Sequence, residues 1–112
     1  MLSGAGNDSS NEFLILINDV TYVYRGTGHY NGNIAVDNNT WRFIVVTRNV
    51  SGQVKIYIDG VFDKQFDHSA IGAFTPDTTT IGGILRGSDC CNFTGNIDDL
   101  AIWDEALSED DI

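Results

Sequence analysis

The stretch "VKIYIDGVFDKQF", residues 54–66, narrows the possible folds of this chain more than any other. Val54, Ile56 and Ile58 alternate with Lys55 and Tyr57 up to Asp59-Gly60, and a second alternating run follows. Two adjacent positive-φ positions make a type I′ turn; glycine enters that region freely and aspartate tolerates it. The segment therefore predicts an antiparallel hairpin with a two-residue turn.

Further strands follow from the same reading. "EFLILIN", 12–18, is a continuous apolar run, and "VTYVYR" comes after the turn signal Asn18-Asp19, which predicts a second hairpin. The glycines and asparagines of 26–39 leave room for a short strand at 34–36. In "WRFIVVTR", Trp41, Phe43 and Val45 share one face while Arg42, Ile44 and Val46 share the other, which predicts a central strand apolar on both sides. Pro76-Asp77 marks a turn before a strand near 79–84, and "RGSDCCNFTG" reads as a loop or a bulged strand start. The last strand, "NIDDLAIW", buries Ile97, Leu100 and Ile102 if a bulge at Asp98 and Asp99 shifts the alternation by one. Ser108 is a good N-cap, with Asp111 as a capping-box partner and Glu109 and Asp110 in the first turn. A helix should begin there, and its stop at Ile112 after one turn predicts a chain cut from something longer.

No amphipathic stretch of about ten residues separates the strands, which argues against a parallel α/β domain. Short strands with turn signals every 8–12 residues or so predict an all-β antiparallel sandwich or jelly roll. A chain of 112 residues suits a single domain spanning 1–112, divided into an N-terminal segment 1–10, a sandwich 11–104 and a helix start 108–112.

Sixteen acids against six scattered bases give a net charge of −10. No basic patch exists to neutralise phosphates, which excludes nucleic acid as a partner, and no run approaches the roughly 18 apolar residues of a membrane span. Residues 1–10 lack the basic start and apolar core of a signal peptide. Asn7, Asn38, Asn49 and Asn92 open N-x-S/T triplets, which permit glycosylation without requiring it.

Cys90 and Cys91 are adjacent and are the only cysteines. A bridge between sequence neighbours is strained, so two thiols with one packed inward is the simpler reading; a vicinal disulfide or an intermolecular link stays open. Loop positions are the candidates for ligand contact: Tyr30, Asn31 and Asn33 in "HYNGN", and Asn92 beside the cysteines. For these residues ordinary turn chemistry is the competing explanation. Neither His29 nor His68 has an adjacent nucleophile pattern.

The motif order resembles a known family. "WRFIVVTRNVSGQVKIYIDG" looks like the W-H-H-V-A-V-T … L-Y-V-D-G core of laminin G-like jelly rolls, and "FTGNIDDLAIWDEALSEDDI" resembles their F-x-G-x-I-D-D-V-R-I-Y ending. Pentraxins share both features, and the similarity runs from about Asn11 to Ile112. It implies the concanavalin A-like fold, with Trp41 and Trp103 at core positions. Family domains usually have further strands before the Asn11 region, so the resemblance leaves the sandwich incomplete at its N-terminus unless residues 1–10 or a partner chain fills the place, or the domain is a compact variant. The superfamily's single calcium site uses the aspartate that opens the last strand, which Asp98 matches; Asn11 and Asp89 are the remaining candidates by comparison with the pentraxin double site, whose other ligands are missing. Calcium is chemically suitable, because it accepts carboxylates, amides and carbonyls. Glycosidases of this fold carry an E-x-D-x-x-E strand with carboxylates about 5 Å apart, and this chain has none.

The expectation is a non-catalytic module that binds carbohydrate or acts in adhesion, stabilised by calcium if Asp98 holds an ion. Its partners would be a glycan or a cell-surface or extracellular protein, and its location extracellular. The alternative is an assembly subunit, a homo-oligomer or a neighbouring domain of a longer chain, whose sandwich partner chains complete.

Overall fold

The computed structural model describes residues 2–5, 13–17, 21–24, 29–67, 78–86, 88–90 and 92–112. Ten strands follow in chain order: β1 (Leu2–Ala5), β2 (Phe13–Ile17), β3 (Thr21–Tyr24), β4 (His29–Asn31), β5 (Ile44–Arg48), β6 (Gln53–Ile58), β7 (Val61–Asp67), β8 (Thr78–Ile81), β9 (Ile84–Arg86) and β10 (Ser88–Cys90). A 3-10 turn, Glu109–Asp111, lies at the end of the described residues. Strands order as β4-β3-β2-β1-β8 in one sheet and β5-β6-β7 in another, with β9 and β10 as a separate hairpin. Every pairing among the described residues is antiparallel.

The hairpin predicted from Asp59-Gly60 is present: β6 meets β7 across Ile58 and Val61, with φ of 54° at Asp59 and 79° at Gly60. These angles fit the type I′ turn. Asp59 adds to it through its side chain, since Oδ1 accepts the Phe43 N–H at 2.9 Å and Oδ2 takes Arg42 at 2.6 Å. At the other end of β6, Asn49 Oδ1 accepts the N–H groups of Ser51 and Gln53, both at 3.0 Å, and Gly52 turns the chain at φ 83°. Local side-chain bonds of this kind fix the two connections of the sheet.

The core lies on β6. Val54, Ile56 and Ile58 occupy one face and are buried with Val36, while Ile34, Ile44, Val46 and Phe66 pack around them. Tyr57, on the opposite face, is buried too. Its ring meets Phe62 edge-on at 5.8 Å. Each fully buried aliphatic side chain here contributes roughly 1.5–3 kcal/mol. Tyr30 of β4 stacks on Phe66 of β7 with ring centroids 4.6 Å apart, and so joins the five-stranded sheet to the β5-β6-β7 sheet.

Several sequence expectations need correction. One of the alternatives for the N-terminal segment is met, since β1 lies between β2 and β8 with Leu2 opposite both Ile15 and Ile81. The chain itself thus supplies a strand before the Asn11 region. No strand forms at 34–36; β4 stands earlier, and Asn33 is drawn to β7 instead. There the register shifts between Ile56 and Tyr57, which pair with Lys64 and Phe62 and leave Asp63 as the extra residue of a bulge. The bulge turns the Asp63 carboxylate onto the Asn33 N–H at 2.9 and 3.1 Å, and the Asp63 carbonyl accepts from Asn33 Nδ2 at 3.0 Å.

The predicted central strand β5 is an edge among the described residues, where β6 is its one ladder partner. Residues 97–103 run without a ladder. Asp99 takes a left-handed φ of 51°, and its N–H donates to Asp98 Oδ1 at 2.9 Å. A side-chain bond of this sort competes with strand pairing. The bulged last strand foreseen at this dipeptide does not form; the backbone turns at Asp99 instead. The predicted C-terminal helix is a single 3-10 turn, in which the Asp111 carboxylate accepts the Ser108 N–H at 3.3 Å and the Asp111 N–H donates to the Ser108 carbonyl at 3.1 Å.

Candidate functional site

The edge position of β5 and the interrupted segment 97–103 together create a cleft. One wall is β5 with its lead-in, residues 41–43; the other is the chain from Asn92 through Glu105. The second wall is fastened at its start, where the Phe93 N–H donates to the Gly82 carbonyl at 2.6 Å. The cleft is open on one side and its volume is about 1270 Å³. That exceeds the roughly 300–1,000 Å³ of a typical small-molecule pocket and suits an extended ligand.

Apolar groups stand open on both walls. Trp41 is 67% exposed and Trp103 55%, against their predicted core positions; Phe43 and Ile102 are exposed as well. The ladder of β5 begins only at Ile44, so Trp41 and Phe43 precede it and escape the face on which alternation placed them. On the facing wall, the turn at Asp99 removes Ile97, Leu100 and Ile102 from a buried register, and all three are exposed. The alternation in the sequence misses this; the indication was the Asp-Asp pair within an apolar run, which offers a local acceptor to the backbone.

Charge in the cleft is mainly acidic. Asp98, Asp99, Asp104 and Glu105 are exposed along the 92–105 wall. Arg42 and Arg48 stand on the β5 side, and the Arg42 guanidinium is held by Asp59 at 2.6 Å. The Asp59 carboxyl lies below its ordinary range, first because of the Phe43 N–H and next because of Arg42.

Of the predicted site residues, Asn92 and Asp98 line this cleft. The other candidates lie elsewhere. Tyr30 is half-buried against Phe66, and Asn31 is exposed at the end of β4. The amide of Asn33 serves Asp63, and its Oδ1 accepts from Lys64 at 3.3 Å. Asp89 and Cys90 belong to β10, where Asp89 pairs with Leu85 and Cys90 with Ile84; their side chains, like Asn11 and Cys91 as a whole, lie outside the described residues.

Asp98 presents a carboxylate of which Oδ1 already serves the Asp99 N–H. Among the described residues no three His, Cys, Asp or Glu side chains gather into a group that could hold a metal.

A second cluster, away from the cleft's apolar walls, escaped the sequence reading. Glu109 Oε1 accepts from Lys55 Nζ at 2.9 Å and from the Tyr57 hydroxyl at 3.0 Å. It ties the terminal turn to β6. The Glu109 carboxyl is lowered by Lys55 first and Tyr57 second. Lys55 is raised chiefly by that same bond, and Tyr57 is raised by burial and then by Glu109.

No helix of the described residues is long and apolar enough to cross a membrane. Comparison with curated proteins and with solved structures finds no match. A laminin G family model, described as concanavalin A-like lectin/glucanases superfamily, matches residues 3–112. With that match over nearly its whole length and its antiparallel sheets, the chain belongs to the laminin G family of the concanavalin A-like lectin/glucanases superfamily.

Proposed function

We propose that the chain is a non-catalytic binding module of adhesive type, and that its ligand lies in the cleft between β5 and residues 92–105. One observation carries this: Trp41 and Trp103 stand exposed on opposite walls of a single cleft. Exposed aromatic side chains in concave sites are the usual anchors of binding, for they supply large contact area at small entropic cost. Laminin G-like domains are generally binding modules, which supports the same reading.

Two ligand classes suit these walls. Carbohydrate is favoured by the tryptophans together with Asn92 and Asp98, because sugars stack on aromatic faces and hydrogen-bond to amides and carboxylates. An extended polypeptide is favoured by the open edge of β5. An adhesive role carries with it the proposal that the module works outside the cell. Titration of oligosaccharides and of strand-forming peptides, followed by calorimetry so that the readout does not depend on the substituted tryptophans, tests the proposal. A response to either class that disappears in Trp41→Ala and Trp103→Ala supports the cleft; a response that survives both substitutions overturns it.

Calcium at Asp98 is a separate proposal, resting on the match of Asp98 to the family's position. A melting scan with calcium and then with chelator tests it: a calcium-dependent rise that is lost in Asp98→Asn supports the ion, and identical curves remove it.

A further inference from the structure

The free edge of β5 carries more information than its position alone. Asp59 N–H donates to the Phe43 carbonyl at 2.8 Å, and Asn49 N–H donates to the Gln53 carbonyl at 3.0 Å. Along an antiparallel ladder the residues bonded to the partner alternate, so 43, 45, 47 and 49 turn their backbone groups to β6. Ile44 and Val46 turn theirs away. Among the described residues no strand follows β5 on that side, so these donors and acceptors face the cleft wall formed by 92–105. An edge of this kind is a template for one more strand.

We propose that the cleft takes an extended, lysine- or arginine-bearing peptide segment of a partner protein, which adds a strand to β5 and sets its apolar side chains against Trp41 and Trp103. The inference rests on the binding-module reading above and names its ligand. Three features converge on it. The backbone of Ile44 and Val46 supplies hydrogen bonds in strand register. Trp41, Phe43, Ile102 and Trp103 supply apolar contact for alternate side chains. Asp98, Asp99, Asp104 and Glu105 make the facing wall negative and outnumber the two lining bases, Arg42 and Arg48, of which Arg42 is paired with Asp59.

Charge also selects among strand donors. A second copy of this chain would bring its own net charge of −10 to an acidic wall, and like charges at such a contact oppose association. A basic segment gains from the same field and associates faster at low salt.

The test uses the whole chain and two short synthetic peptides, one alternating lysine with valine and the other glutamate with valine. A third probe is the lysine peptide N-methylated on the amides that would face β5. Binding is read by amide shifts of Ile44 and Val46 and by tryptophan fluorescence, at low and high salt. The expected result is binding of the lysine peptide, weakened about tenfold or more by N-methylation, by glutamate for lysine, and by added salt. Equal binding of the lysine and glutamate peptides overturns the inference, as does indifference to N-methylation or the absence of any shift at Ile44 and Val46. An oligosaccharide that quenches Trp41 while neither peptide binds overturns the inference and leaves the binding-module reading standing. Loss of every ligand response removes both.

Discussion

Glu109 and Lys55 are 54 positions apart in the sequence, yet the Glu109 carboxylate lies 2.9 Å from the Lys55 ammonium and the same oxygen takes the Tyr57 hydroxyl. This contact sets the terminal turn on the face of β6 opposite the aliphatic core. Glu109→Gln should keep the fold and lower its melting temperature slightly, because both charges of the pair are well exposed to water. The loss should shrink further at high salt.

Acid and alkali should act on that contact from opposite sides. The Glu109 carboxyl is lowered from 4.5, so its contribution is complete above that value and fades as pH falls through the lower folded one. Lys55 is raised from 10.5 and Tyr57 from 10.0, so their contributions are complete below those values and fade as pH rises through the higher folded ones. Asp59, lowered from 3.8, adds to the loss in acid. Urea melts across pH should show stability falling below about pH 4.5, with a smaller fall above about pH 10. In Glu109→Gln both edges should flatten, while the acid loss due to Asp59 remains.

The β6–β7 hairpin should be sensitive at Gly60. A Cβ there meets nothing closer than the Ile112 carbonyl oxygen at 3.9 Å, so space is no obstacle. The cost is conformational, since φ is +79°, and Gly60→Ala should lose about 1 kcal/mol in denaturant unfolding. Asn at the same position should lose less, because asparagine tolerates the left-handed region.

Ile56 is fully buried at the centre of the β6 face. Ile56→Ala should cost about 2–5 kcal/mol, while Ile56→Val costs about 0.5–1.5. Asp63→Ala should cost about 1 kcal/mol, since it releases the Asn33 backbone and amide from the bulge. Amide shifts confined to residues near 33 and 63 would locate that effect.

How much of this was legible in the sequence depends on whether local chemistry alone decided it. Asp59-Gly60 carries its own turn geometry, so the β6–β7 hairpin was readable, as was the β2–β3 hairpin from two apolar runs around Asn18-Asp19. The family was readable from the "W…DG" and "G-x-I-D-D" signatures. The bulge at Asp63 was not, because it depends on Asn33, thirty residues away. The strand β1 was missed because "LSGA" has little apolar alternation and is defined by its neighbours β2 and β8. The candidate cleft was missed for a related reason. Alternation placed Trp41 and Trp103 in the core, whereas the ladder starts at Ile44 and the backbone turns at Asp99. Asn92 and Asp98, named from loop position and motif, do line it.

Trp41 separates the binding account from a packing account. Its side chain is mostly in water, so Trp41→Ala should change stability by no more than about 0.5 kcal/mol. A ligand held in the cleft should lose about 2 kcal/mol or more of binding energy in the same variant. A tryptophan packed in the core would instead cost about 3–5 kcal/mol of stability.

The most direct measurement is acrylamide quenching of tryptophan fluorescence in the native chain, with Trp41→Phe and Trp103→Phe to separate the two signals. An open, ligand-binding cleft predicts that both tryptophans emit as solvated indoles, quench readily, and become protected when a ligand is added. Blue-shifted emission that resists quenching in the free chain would contradict it, for the walls would then be packed together and the cleft closed.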